Sequence, residues 1–201
     1  MTQIINIYIF IVYSETMTSS ESKVEAIIQL YNDKGDVEYD IGEKISQIEH
    51  GLQAADAARE KGYDIETQIA ALLHDIGHLL DAERMADLGI KDHEKVGSDY
   101  LRQLGFPDKV CQLVRNHVNG KRYLVASNKD YSGKLSDASK QTMVHQGGPM
   151  SVEEQKEFEN GPYFQDHLKF RELDEIAKVE DKITNTFQFY RSIMIQLIES
   201  Q

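Results

Sequence analysis

His74 and Asp75 stand side by side at the end of an apolar, helix-favouring run, Ile69-Ala70-Ala71-Leu72-Leu73. Neighbours on a helix point about 100° apart. They can still converge on one ion at a helix end, where the last turn is distorted. A carboxylate and an imidazole that are buried together need a charge partner, and a divalent cation supplies one. The plainer alternative is an exposed polar helix end, against which Ala70, Leu72 and Leu73 argue by marking the segment as core. The same residue types recur at His50, His93, His117 and Asp174. Inward-facing ligands from several helices are a recurring way to build a dinuclear site in a bundle. Imidazole and carboxylate donors without thiolate suit iron, manganese or zinc, and Asp75 alone can bridge two ions.

The elements that must position these residues read as helices. A first helix starts at Ser19 or Ser20, carries Val24, Ile27, Ile28 and Tyr31 on one face and stops at Gly35. A second runs from Glu43 to Glu60, with Ile45, Ile48, Leu52 and Ala55 as its stripe and His50 on another face beside Glu43, Ala54 and Ala57. Taken alone, His50 reads as a surface or second-layer residue. Asp64 caps a third helix that delivers His74-Asp75. His78, four residues after His74, is either a ligand or a supporting or solvated neighbour. Asp92 and His93 open a fourth helix ending at Gly105, and Pro107 opens a fifth with His117 near its end. Further helices are predicted from Ser136, from the Ser151-x-x-Glu154 capping box, from Pro162 with Asp174 inside it, and over Ile183 to Ile198. No repeat, low-complexity run or convincing strand interrupts them. The prediction is an all-α bundle of eight or nine helices forming one domain over residues 20–201. Residues 1–19 read as an N-terminal extension, with Met17 a candidate translation start.

With 201 residues, 40% hydrophobic and 28% charged, the chain is long enough for one globular core. A net charge of −12 argues against binding a nucleic-acid backbone. It leaves room for a small anionic substrate, because metal ions and a few placed cations reverse the local field. The apolar stretch Ile4–Val12 is too short to span a bilayer and lacks the basic flank of a secretory signal. With Cys111 as the only cysteine no intrachain disulfide is available, so a cytoplasmic setting is expected and Cys111 reads as a small core residue. His145 and His167 read as surface or helix-packing residues.

The order His…His-Asp…His…His…Asp resembles the HD-domain superfamily of helical metalloproteins. The resemblance implies one ion on His50, His74, Asp75 and Asp174 and a second on Asp75, His93 and His117. Most members of that superfamily hydrolyse phosphate esters, and a smaller group are mixed-valent diiron oxygenases. The blocks around the ligands are similar to phosphonate-degrading oxygenases of the PhnZ type. These blocks are Ile41-Gly42-Glu43 ahead of Ser46-Gln47-x-Glu49-His50, His93-Glu94-Lys95-Val96-Gly97, His117-Val118-x-x-Lys121-Arg122-Tyr123-Leu124-Val125, Leu135-Ser136-Asp137-Ala138-Ser139, Gln146-Gly147-Gly148-Pro149-Met150 and Asp174-Glu175. Together they cover roughly residues 22–178.

What this resemblance implies is a dioxygenase with two iron ions, Fe2+ and Fe3+, and O2 as co-substrate. The substrate is a 1-hydroxyalkylphosphonate, cleaved at its C–P bond to a carboxylate and inorganic phosphate without an external reductant. The alternative is an HD-type metal-dependent phosphohydrolase acting on a phosphate ester or nucleotide. A phosphonate dianion calls for Lys and Arg beside the metals. Lys121 follows His117 by four residues, and Arg171 precedes Asp174 by three on the same helix. Ser139 matches a family position that helps hold the phosphonate, and Glu43 matches an acid near the substrate. In the family a tyrosine three residues before that acid gates the open iron position. Here Asp40 has that spacing and Tyr39 precedes it, so either Tyr39 or Asp40 is the candidate at the gate. The substituent on the substrate (amino, trimethylammonium or none) and the oligomeric state stay open.

Overall fold

The computed structural model describes residues 18–36, 44–83, 90–133 and 135–201, with the side chains of 137 and 138 excepted. The expectations for the N-terminal extension, for Met17 and for Tyr39, Asp40 and Glu43 fall outside the described residues.

Ten α-helices and one 3-10 helix account for the regular structure of the described residues. They are α1 (Ser19–Lys34), α2 (Gln47–Glu60), α3 (Ile65–Leu73), the 3-10 helix (Ile76–Leu79), α4 (His93–Leu104), α5 (Asp108–Ser127), α6 (Lys129–Ser132), α7 (Asp137–His145), α8 (Val152–Glu159), α9 (Phe164–Ile176) and α10 (Phe187–Glu199). The all-α expectation holds. The excess over eight or nine comes from short pieces, α6 and the 3-10 helix.

Local chemistry explains most boundaries. Thr18, Ser46 and Ser151 each accept from the backbone N–H three residues on, while Glu21, Glu49 and Glu154 return the bond. Thr18 is the cap, and the helix starts at Ser19 as expected. Ser46 starts α2 at Gln47, later than the Glu43 start read from the apolar pattern. Asp64 accepts from Thr67 N and caps α3. Three further boundaries differ from expectation. The helix α5 continues through Gly120 to Ser127, placing His117 in its middle. A Cβ at Gly120 would meet the His167 carbonyl of α9 at 3.4 Å, so the residue serves a close helix crossing rather than a stop. After Pro162 the left-handed Tyr163 delays α9 to Phe164. The chain before Phe187 is held out of helix by Asp56, which accepts from Asn185 N at 2.8 Å and Asn185 Nδ2 at 2.9 Å.

The bundle is built around α3, whose residues Ile69 to Leu73 are all fully buried. It packs against α2 and α5, while α9 crosses both α2 and α5 and α10 closes over α1 and α3. Ile27, Leu101, Leu113, Phe170, Leu173, Tyr190 and Met194 fill the space between these helices. Each buried side chain of this size contributes about 1.5–3 kcal/mol of transfer free energy. That core fixes the ends of α2, α3, α4 and α9 and the middle of α5 around one point.

Candidate metal centre

The polar residues of that point are buried without exception. His50 is 0% exposed, His74 1%, Asp174 3%, His117 4%, and Asp75 and His93 7% each. His74 is the residue that ends α3, and Asp75 follows it with φ −99 and ψ 10, outside helical geometry. This bend swings the Asp75 carboxylate back beside His74, with Oδ2 at 3.3 Å from His74 Nε2. The 3-10 helix then lets the chain pass under α4. A Cβ at Gly77 would lie 2.0 Å from the His93 carbonyl oxygen, so only glycine admits the approach that brings His93 to Asp75.

The six residues form two groups. His50, His74 and Asp174 have donor atoms within 4.8 Å of one another, and so do Asp75, His93 and His117. Asp75 faces both groups, one oxygen to each. Its Oδ2 is 3.3 Å from His74 Nε2 and 3.8 Å from His50 Nε2. Its Oδ1 is 3.4 Å from His93 Nε2 and 3.5 Å from His117 Nε2. This is the disposition of a carboxylate that bridges two ions.

The imidazole hydrogen bonds test whether a metal fits. His50 Nδ1 lies 2.8 Å from the Ala177 carbonyl, His74 Nδ1 2.9 Å from Ala71 O and His117 Nδ1 2.8 Å from Val114 O. A carbonyl only accepts, so each Nδ1 carries hydrogen and Nε2 is the ring nitrogen turned to the centre. His50 and His74 then oppose each other Nε2 to Nε2 at 3.0 Å, as do His93 and His117. Two ring nitrogens that close share either a proton or a metal ion, and 3.0 Å suits two imidazoles bound side by side to one ion. Oriented imidazoles with carbonyl partners behind them are the usual support of metal ligands. The site fits two metal ions of the kind that accept nitrogen and oxygen donors.

The field of the pocket agrees. Burial pushes the Asp75 carboxyl up, but His74, His93 and His117 hold it well below the carboxylate range. Burial likewise opposes charge on Asp174, and the Arg171 guanidinium prevails to hold it low. Burial lowers His74, yet Asp75 and then Asp174 raise it to about 9. The two carboxylates thus concentrate negative potential where a cation would sit. Burial keeps His117 well below the usual imidazole value.

The other expected residues divide. Lys121 and Ser139 are buried, 5% and 4% exposed, close to one another through Thr142. Lys121 Nζ donates to Thr142 Oγ1 at 3.2 Å, and Thr142 Oγ1 donates to the Ser139 carbonyl at 3.3 Å. Ser139 lies in the first turn of α7, where Ser136 is the cap and itself accepts from Lys178 Nζ at 3.3 Å. Arg171 is buried beside Asp174, to which Nη1 donates, while Nη2 donates to Glu175. His78 stacks on His93 at 4.0 Å between ring centroids and accepts from Ile90 N, so it supports the ring next to it. His145 is exposed and Cys111 is core. His167 is 2% exposed and stacks under Phe158, a helix-packing residue. Sequence reasoning gave no role to Tyr131, Thr142 or Glu175, which touch this cluster. For Glu175 the signals at hand were its place in the Asp174-Glu175 block and its same-face spacing from Arg171.

This arrangement marks a protein class, and comparison with known proteins gives the same one. The HD-domain family model matches residues 48–160, and the chain belongs to that family. The chain is 40% identical over 191 residues to an uncharacterised protein of Acanthamoeba polyphaga mimivirus, covering 93% of this chain and 87% of that one. It is 37% identical over 179 residues to a [1-hydroxy-2-(trimethylamino)ethyl]phosphonate dioxygenase (glycine-betaine-forming) of Leisingera caerulea, covering 88% and 90%. It is 35% identical over 181 residues to a hydroxymethylphosphonate dioxygenase of Gimesia maris, covering 88% and 89%. Two of these relatives are thus named as phosphonate dioxygenases, the group that the motif blocks resemble. No described helix is long and apolar enough to cross a membrane.

Proposed function

We propose that this protein is a diiron oxygenase of the PhnZ type that cleaves the C–P bond of a 1-hydroxyalkylphosphonate. The observation that carries the reading is Asp75, turned with one oxygen to each of two histidine groups. One iron would be held by His50, His74, Asp174 and Asp75 Oδ2, the other by His93, His117 and Asp75 Oδ1. Bound there, the iron pair supplies dioxygen activation and Lewis-acid binding of the substrate. The overall change balances as R–CH(OH)–PO3H2 + O2 → R–COOH + H3PO4, with no outside reductant.

The chain's own residues have separable tasks in this scheme. Lys121 stands one helical turn after His117 on α5 and supplies the positive charge that a phosphonate needs. Ser139 and the first turn of α7 offer hydroxyl and helix-end polarity beside it. Burial of both residues excludes water from the phosphonate and strengthens these contacts. Glu43 is proposed as an acid that acts on the substrate, with Tyr39 or Asp40 as the gate residue.

The test is phosphate release by iron-loaded protein from hydroxymethylphosphonate and its aminomethyl and trimethylaminomethyl homologues, with and without O2. Release only with O2 is expected. Release from phosphate esters without O2 would replace this reading with a phosphohydrolase. Lys121→Met should keep the metals and raise KM about 10- to 100-fold, the worth of a lost charged hydrogen bond, as steady-state kinetics would show.

A further inference from the structure

Arg171 has no guanidinium nitrogen left unassigned. Its Nη1 donates to Asp174 Oδ2, its Nη2 to Glu175 Oε1 and its Nε to the Tyr131 hydroxyl at 2.8 Å. Tyr131 in turn donates to Glu175 Oε1 at 3.2 Å. A closed ring results: guanidinium, phenol and carboxylate each satisfy the other two. Arg171 is 2% exposed, so its charge is paid for by these partners alone.

The ring has a consequence at Asp174. Its Oδ2 accepts from Arg171 and lies 4.0 Å from His74 Nε2, whereas Oδ1 is the oxygen nearer the centre, 3.4 Å from His50 Nε2. A carboxylate gripped on one oxygen by a cation offers the other to a metal in one orientation. Arg171 in turn cannot rotate while Tyr131 fills its Nε side and Glu175 its Nη2 side. Burial raises the Tyr131 pKa, which keeps its hydroxyl available as the donor to Glu175. Tyr131 comes from α6, the short helix that leads into Ser136 and Ser139.

We propose that Tyr131 and Glu175 are positioning residues that lock Arg171 onto Asp174 and so fix that carboxylate as a one-oxygen ligand of the His50–His74–Asp174 site. The inference rests on Asp174 as a ligand and not on the identity of the substrate. Metal binding can therefore fail or succeed independently of the phosphonate reaction.

The experiment is a zinc titration of the full chain against a chromophoric chelator, comparing the parent with Tyr131→Phe and Glu175→Gln. The first keeps the ring and loses only the hydroxyl; the second keeps the size and loses the charge. Partners behind a ligand are typically worth 10- to 100-fold in metal affinity, and a partner one step further back is expected at roughly tenfold. The expected result is a roughly tenfold weaker affinity for one of two zinc ions in each variant, the other unchanged, with helical circular dichroism intact. Parent-like affinity for both ions in both variants would overturn the proposal. So would a parallel weakening at both ions that follows a lowered melting temperature, because it would make the ring a merely structural contact.

Discussion

The two halves of the proposed centre share Asp75 and differ in nearly everything else. The half formed by His50, His74 and Asp174 adds a second carboxylate, and Arg171 braces that carboxylate from behind. The half formed by His93 and His117 has only Asp75 Oδ1 as its anionic donor. Its supports are a stacked His78, the Glu94 carboxylate 3.6 Å from His93 Nδ1 and the Val114 carbonyl behind His117. Counting the shared aspartate once on each side, the first half offers four protein donors and the second three. A site with fewer protein donors keeps positions open for water, substrate or oxygen. Lys121 lies on the same helix as His117, on the open side's element. The difference points to a division of labour under the proposed function: the braced half would retain its ion, and the sparse half would exchange its remaining ligands.

The largest effect should come from removing what the halves have in common. Asp75→Ala is expected to lose both ions and at least about 100-fold in activity, as elemental analysis and turnover assays would show. Retention of one ion would mean that the halves are less dependent on the bridge than its geometry suggests. A sharper comparison sets Asp174→Ala against His93→Ala. Each should cost one ion. Only the first leaves Arg171 buried with a lost partner, for which about 3–5 kcal/mol is typical, and about 2–4 °C in Tm follows from each kcal/mol in a chain of this size. Thermal melts of the two metal-free variants should therefore separate widely. Equal melts would deny the brace its energetic role.

The smallest effect lies in the packing behind the braced half. His167 sits one turn before Arg171 on α9, and burial lowers its pKa to about 4. The folded value is below the ordinary imidazole value, so its neutral form contributes stability that is present above about 6.5 and lost as pH falls toward about 4. His167→Gln should flatten the fall in metal-free Tm across that window. A slope unchanged from the parent would assign it to other groups.

Much of this was legible beforehand, and the reasons are physical. Helices showed because their apolar spacing and their Asp and Ser caps are local signals, as at Asp64 and Ser151. The six candidate ligands showed because their residue types are costly to bury and recur on successive helices. The misplaced boundaries have non-local causes. Gly120 looks like a stop until His167 is seen against it, and the chain before Phe187 looks helical until Asp56 binds Asn185. The Tyr131–Arg171–Glu175 ring was invisible for the same reason, since Tyr131 reaches Arg171 only through the fold. His78 could not be assigned by spacing alone, because its face depends on the 3-10 turn after Asp75.

The bridge at Asp75 also orders events in time. The ligands of the sparse half, Asp75, His93 and His117, lie close along the chain, whereas the braced half joins His50 to Asp174 near opposite ends of the described sequence. Chains emerge N-terminus first, and closing the longer loop costs more entropy. During synthesis the sparse half therefore has all its donors while Asp174 is still to come. The half proposed to hold its ion more firmly in the finished protein is the half whose ligand set is completed last.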